Sequence, residues 1–143
     1  MILSAIAEIR GSNADGAGPR IAVVSSAGIS QAGRDVPALM VPVYKLLIRT
    51  PLADKKKMEA VAQKSGNRWC IVRASHLTDG ESKGLEKVRV GVEVPDASGK
   101  VDVEKKEIGY TIRREDVGLW IFEELVKAGG KGKWERKIVN LTC

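Results

Sequence analysis

Two apolar runs in this chain each end in a short polar run. RIAVV at residues 20–24 is followed by Ser25-Ser26-Ala27-Gly28, and WCIV at 69–72 is followed by Arg73-Ala74-Ser75-His76. At the end of a buried strand, a hydroxyl can hydrogen-bond a ligand's polar group and a glycine lets the ligand approach the backbone. Capping of the strand end by serine accounts for the first run equally well. His76 can donate a proton near neutral pH, although a lone loop histidine is also an ordinary surface residue. Between the two runs lies Lys55-Lys56-Lys57. An ammonium is a compact triple donor, suited to a ribose or phosphate oxygen. The same three lysines also read as a solvated helix face, with Glu59 placed to pair with Lys55 one turn on.

Several chemistries have no residues to carry them. His76 is the only histidine, so no histidine cluster is available and no metal site is expected. GxSxG, HExxH and CxxC are absent, which leaves hydrolase and zinc readings without support. Gly16-Ala17-Gly18 precedes a strand, the wrong order for binding an anion at a helix start. Gly129-Gly130-Lys131-Gly132-Lys133 follows a helix and lacks the GK[ST] ending. Both read as turns.

The elements that must position these residues follow from periodicity. Residues 1–10 have the spacing of a short amphipathic helix, and 11–19 form a loop by composition. The continuous apolar character of 20–25 and 69–72 predicts strands buried on both faces of a parallel sheet. Residues 38–49 are expected to be helical, kinked or split by Pro42. Pro51 suits the first turn of the next helix, whose predicted apolar stripe is Met58, Val61 and Ala62, ending at Ser65-Gly66-Asn67. Residues 73–84 are expected to be a long loop. Alternation over 87–94 and 101–104, with a further strand candidate at 108–112, predicts a small β excursion. Residues 115–128 form a helix with acids in its first turn and Val117, Trp120, Ile121 and Leu125 on its buried face, stopped by Gly129-Gly130. A last short strand covers 138–141. The order implies an α/β fold, a doubly wound, parallel sheet with helices between its strands.

Bulk properties agree with one globular unit of 143 residues, 43% hydrophobic and 29% charged. Residues 1–10, MILSAIAEIR, are short, carry Glu8 and lack a basic leader, so no signal peptide is expected. No apolar run reaches membrane-spanning length. Cys70 lies within an apolar strand and Cys143 is the last residue, which fits reduced thiols and a cytoplasmic setting. The net charge of +6 invites a polyanion, but no aromatic residues interleave with a basic stripe, and nucleic acid is not the expected partner.

Taken in order, VVSSAG, DKKKMEAVAQKSG, WCIVRASHLTDGE and YTIRREDVGLWIFEEL resemble the atypical short-chain dehydrogenase/reductases, specifically the NAD(P)-binding NmrA-like and biliverdin reductase B-like group. The resemblance covers nearly the whole chain. It implies a Rossmann-like NAD(P)-binding domain, with NADPH favoured over NADH, and an NAD(P)H-dependent reductase of a small organic substrate. Carried over by residue, Ser26 and His76 become the catalytic candidates. Ser25, Ser26, Lys55, Arg73, Ala74, Ser75 and His76 become the cofactor contacts, while Arg114 and Asp116 match a late pair expected to be structural. Three departures bear on activity. Ala74 stands where the family has proline after the strand arginine. Pro51 stands four residues before Lys55, where dehydrogenases of the classical type carry a catalytic tyrosine. The glycine-rich first turn that binds the pyrophosphate has no counterpart in these residues. The chain is therefore expected to be the carboxyl-terminal part of such a domain, weak or inactive alone, with an exposed sheet edge at residues 21–25 open to self-association. The alternative is a non-catalytic, NmrA-like redox-sensing module.

Overall fold

The computed structural model describes residues 4–8, 19–127 and 132–143, without the side chain of Lys45. The readings that fall wholly on residues 1–3, 9–18 and 128–131, including both glycine runs up to Lys131, lie outside the described residues. Residues 4–8 form a short helix, α1. Among the described residues seven strands follow, in two sheets: β1 (Arg20–Ser26), β2 (Arg68–Ala74), β3 (His76–Thr78), β4 (Arg89–Pro95), β5 (Val101–Lys105), β6 (Thr111–Arg113) and β7 (Lys137–Thr142). The remaining helices are α2 (Val41–Leu46), α3 (Arg49–Lys64) and α4 (Arg114–Ile121).

The main sheet has the order β1-β2-β7-β4-β5. β1, β2 and β7 run parallel, as continuous apolar strands should. β4 lies antiparallel to β7, and β5 antiparallel to β4. The expected β excursion is present and joins the main sheet. Its hairpin occupies the edge that β7 leaves open and supplies partners for that strand's backbone. The candidate strand at 108–112 narrows to β6, which pairs in parallel with β3 as a second, two-stranded sheet.

Strand alternation in β2 divides the core. Cys70, Val72 and Ala74 pack with Val117, Trp120 and Leu125 on the α4 face. Trp69 and Ile71 pack with Ile138, Ile21 and Val23 on the opposite face, the face on which Arg73 meets Glu59 of α3. The parallel strands are therefore covered by helices on both sides, the doubly wound arrangement. The expected buried stripe of α4 is present apart from Ile121, which is half-buried, and the helix continues as a π-helix over Phe122–Lys127. Trp120 meets Trp134 with ring centroids 5.2 Å apart, and Trp134 Nε1 donates to Glu124 at 2.7 Å.

Three expectations change. Pro42 lies in the first turn of α2 and opens that helix after a 3-10 turn at Ala38–Met40, since its missing N–H is harmless there. On α3 the buried residues are Glu59 and Ala62, whereas Val61 is 55% exposed, because the helix turns Glu59 toward the sheet. The long loop predicted from residue 73 begins later. Arg73 and Ala74 continue β2, paired with Ser25 and Ser26 on one side and with Asn140 and Leu141 on the other. No helix among the described residues is long and apolar enough to cross a membrane.

Candidate site at the carboxyl ends of the parallel strands

β1, β2 and β7 end side by side. Ser25 and Ser26 close β1, Ser75 follows β2, and Thr142 closes β7. Backbone bonds tie these ends together: Ala27 N donates to Ala74 O at 2.9 Å and Ser75 N to Leu141 O at 3.0 Å. Ser75 Oγ donates to Thr142 Oγ1 at 3.1 Å. Ser26 Oγ turns back to the carbonyl of Ala27 at 3.0 Å. Ser25 Oγ is buried with no hydrogen-bond partner among the described residues, an unusual state for a hydroxyl inside a protein.

Lys55 reaches this edge from α3. Its Nζ donates to Val24 O at 3.2 Å, occupying a carbonyl of the sheet's edge strand, and it does not pair with Glu59. That carboxylate is committed elsewhere. Arg73, 3% exposed, donates from Nε and Nη2 to the two oxygens of Glu59 at 3.0 and 2.8 Å, a bidentate contact. Its Nη1 donates to Glu93 Oε2 on β4 at 2.8 Å. Burial works against the arginine's charge, but the Glu59 hydrogen bond and the fields of Glu59, Glu93 and Asp35 together outweigh it, and its pKa lies above the ordinary arginine value. Glu93 Oε1 also accepts from Ser30 Oγ at 2.7 Å and from Asn140 Nδ2 at 3.2 Å. Arg73 thus joins α3, β2 and β4, and through Glu93 it holds the segment after β1.

That segment builds a cleft. Asp35 Oδ2 accepts the amides of Gly28 at 2.9 Å and Ser30 at 3.2 Å. Gly28 has φ of +96°, and a Cβ there would lie 2.3 Å from Tyr44 Cδ1, so only glycine lets the tyrosine ring rest on this backbone. Between Gly28–Ser30, Tyr44 and the first turns of α3 lies a cleft of about 480 Å³ lined also by Arg49, Leu52, Ala53 and Lys56. A second cleft of about 290 Å³ shares Gly28, Ser30 and Tyr44 and is lined by Gly33, Arg34, Asp35, Val36 and Val41. Burial first, and then the Asp35 charge, raise the Tyr44 pKa above 10.0, so the phenol stays protonated and can donate at neutral pH.

The structure thus brings Ser25, Ser26, Lys55, Ala74 and Ser75 to one polar edge. Arg73 sits beneath it with its donors spent on carboxylates, not in a loop. His76 lies apart: it is exposed, it starts β3, and its imidazole has no hydrogen-bond partner among the described residues. Asp116 is fully buried and accepts the amides of Lys83 and Gly84 at 2.9 and 3.3 Å; Arg114 pairs with Asp79. Both therefore brace the segment that follows β3. Sequence reasoning missed Tyr44, Asp35 and Glu93. One signal was available: Tyr44 is the only aromatic residue before Trp69. Cys70 is fully buried, with its thiol pushed up to about 12 chiefly by burial, which leaves it inert.

A family model described as NAD(P)H-binding matches residues 9–127. The chain belongs to this NAD(P)H-binding family. It is 40% identical to "Reductase pytE" of Aspergillus terreus, over 99% of this chain and 54% of that protein. It is 39% identical to "Oxidase pynE" of Aspergillus niger, over 87% of this chain and 45% of that protein. The chain spans about half the length of the curated relatives it matches. Among solved structures it is similar to a wide-type short-chain dehydrogenase/reductase of Veillonella parvula in complex with NADP. The TM-score is 0.64 at 18% identity, over 99% of this chain and 58% of that one. An ethylated short-chain dehydrogenase/reductase from the same organism gives 0.60 at 19%, over 97% and 57%. The fold of the chain is therefore the Rossmann-like fold of short-chain dehydrogenase/reductases.

Two predictions follow from the buried charges. Arg73→Met leaves Glu59 and Glu93 buried without a cation and should destabilise the fold by about 3–5 kcal/mol, read from the urea midpoint; an unchanged midpoint would remove the triad's structural role. The second concerns pH. Burial raises the Asp35 pKa above 3.8, against the lowering effects of the Gly28 amide, Arg73 and the Ser30 amide. Between its unfolded and folded pKa values the native state binds more protons than the unfolded chain, so this group's contribution to stability declines as pH rises through that window. The difference in urea stability between the parent and Asp35→Asn should fall as pH rises from about pH 3 to about pH 7.

Proposed function

We propose that this chain forms the carboxyl-terminal part of an NAD(P)H-dependent oxidoreductase acting on a small organic substrate. The observation that carries the reading is the shared carboxyl end of β1, β2 and β7, where a doubly wound sheet takes its ligand, in a chain of an NAD(P)H-binding family. Ser25, Ser26 and Ser75 offer hydroxyls or amides to the ribose and nicotinamide side, and Lys55 stands beside them on the sheet's edge. NADPH is the favoured form by resemblance. The cofactor supplies the hydride, and the protein's part is to hold and orient the two reactants. Ser26 is the better of the two catalytic candidates, since it stands at the strand ends while His76 does not. Tyr44 is a protonated donor in the adjoining cleft. Arg73 acts through Glu93 and Ser30 as a positioning residue and does not contact cofactor. The glycine-rich turn for the pyrophosphate is supplied from outside these 143 residues. The buried, unpaired Cys70 suits a reducing cytoplasm.

A second reading is favoured by two observations. Pro51 occupies the place of the usual tyrosine, and Lys55 is tied to a backbone carbonyl. A module that binds the dinucleotide to sense redox state, without turnover, needs neither group. NADPH oxidation with quinone acceptors, measured once the glycine-rich half is joined to the chain, separates the two.

Calorimetric titration of NADPH into this chain should give weak binding, with Kd above about 100 μM, since half the contacts are missing. Low-micromolar affinity would overturn the requirement for an outside phosphate-binding turn. The β1 edge has its own test. β1 ends the main sheet and Val24 on it is 42% exposed, so light scattering should report dimers or larger species that Val24→Lys shifts toward monomer. A monodisperse monomer at every concentration would remove self-association from the proposal.

A further inference from the structure

We infer that the cleft between Tyr44 and α3 takes a small molecule with an apolar body and one acidic group. The inference rests on the reading of the chain as part of a reductase of a small organic substrate and names the substrate class. The walls of this cleft are apolar: Ile29, the Tyr44 ring, Leu52 and Ala53. Its volume, about 480 Å³, is that of a small-molecule site. Among the described residues that line it, two carry a formal charge, Arg49 and Lys56, and both are cations.

Their placement follows from helix geometry. Arg49, Ala53 and Lys56 lie at i, i+4 and i+7 on α3, one face of the helix, with the two cations about 10 Å apart along its axis. Neither has an acidic partner among the described residues, although Lys57 beside them pairs with Asp54 at 4.0 Å. Asp35, the acid near the far side of Tyr44, is committed to the Gly28 and Ser30 amides. A cleft with apolar walls and a cationic rim favours an amphipathic anion over a neutral molecule of the same shape. The Tyr44 hydroxyl stays protonated there and adds a neutral donor. A carboxylate or an acidic enol on an aromatic or aliphatic skeleton meets these requirements.

The probes are 2-naphthoate and its neutral isostere 2-naphthamide, titrated into the isotopically labelled chain at low salt without cofactor and followed by amide chemical shifts. Naphthoate should perturb residues 28–30 and 49–56 and bind about fivefold more tightly than the amide. The double substitution Arg49→Gln/Lys56→Gln should abolish that preference, and Lys57→Gln should leave it intact. Equal binding of the two probes, no binding, perturbation centred elsewhere, or a preference that survives the double substitution would each overturn the inference. Displacement of naphthoate by NADP would assign the cations to the cofactor and overturn it as well. Because no cofactor enters the primary titration, failure here leaves the reductase reading standing, and failure of NADPH binding leaves this one standing.

Discussion

The structure depends on one buried cation. Arg73 lies near the end of a strand that is paired on both sides and covered on both faces, where an unpaired guanidinium would be untenable. It is tolerated because Glu59 accepts two of its donors from α3 and Glu93 accepts a third from β4. The interaction ties a helix to both halves of the mixed sheet. Replacing such a triad with apolar side chains is often neutral or stabilising, so its value lies less in net stability than in fixing which residues face which. Here it fixes the rotation of α3, and with it the line of Arg49, Ala53 and Lys56 along the cleft.

The same charge network positions the candidate site. Glu93 passes the constraint to Ser30, Asp35 folds the intervening turn on its own amides, and Gly28 lets Tyr44 lie against the backbone. A loop that leaves a strand end is ordinarily adaptable. This one is held by the half-buried Asp35 and the buried Glu93, so the cleft is built in advance. The polar strand ends and the cleft are neighbouring places with different chemistry. One is a row of hydroxyls and amides, suited to a nucleotide's sugar. The other is an apolar hollow with a cationic rim.

β1 shows what a family fold looks like at its edge. Its α3-facing residues Ile21 and Val23 pack into a core, while Val24 on the other face stays open. Lys55 occupies the Val24 carbonyl, which a further strand would otherwise take. Charge on an edge is a common guard against unwanted strand pairing, and here the guarding lysine is also the one the family resemblance assigns to cofactor.

Much of the fold was legible in the chain because the signals are local. Continuous apolar runs marked β1 and β2 as parallel strands, and the 3.6-residue period marked the buried face of α4. The polar strand ends were marked by Ser25-Ser26 and Ser75, and the family by the order of four motifs. The misplaced features have one common cause. From the sequence Arg73 reads as a loop residue and cofactor contact and Glu59 as a helical partner for Lys55, since a charge is buried only when a partner from a distant element meets it. The stripe of α3 was rotated for that reason, Arg73 was taken for a loop residue, and Glu93, Asp35 and Tyr44 passed unnoticed. The sequence by itself determined the α/β class, the family and the polar ends of the parallel strands, through short-range patterning. Only the tertiary structure decided the mixed sheet order and the cleft beside Tyr44, because both depend on pairing between residues tens of positions apart.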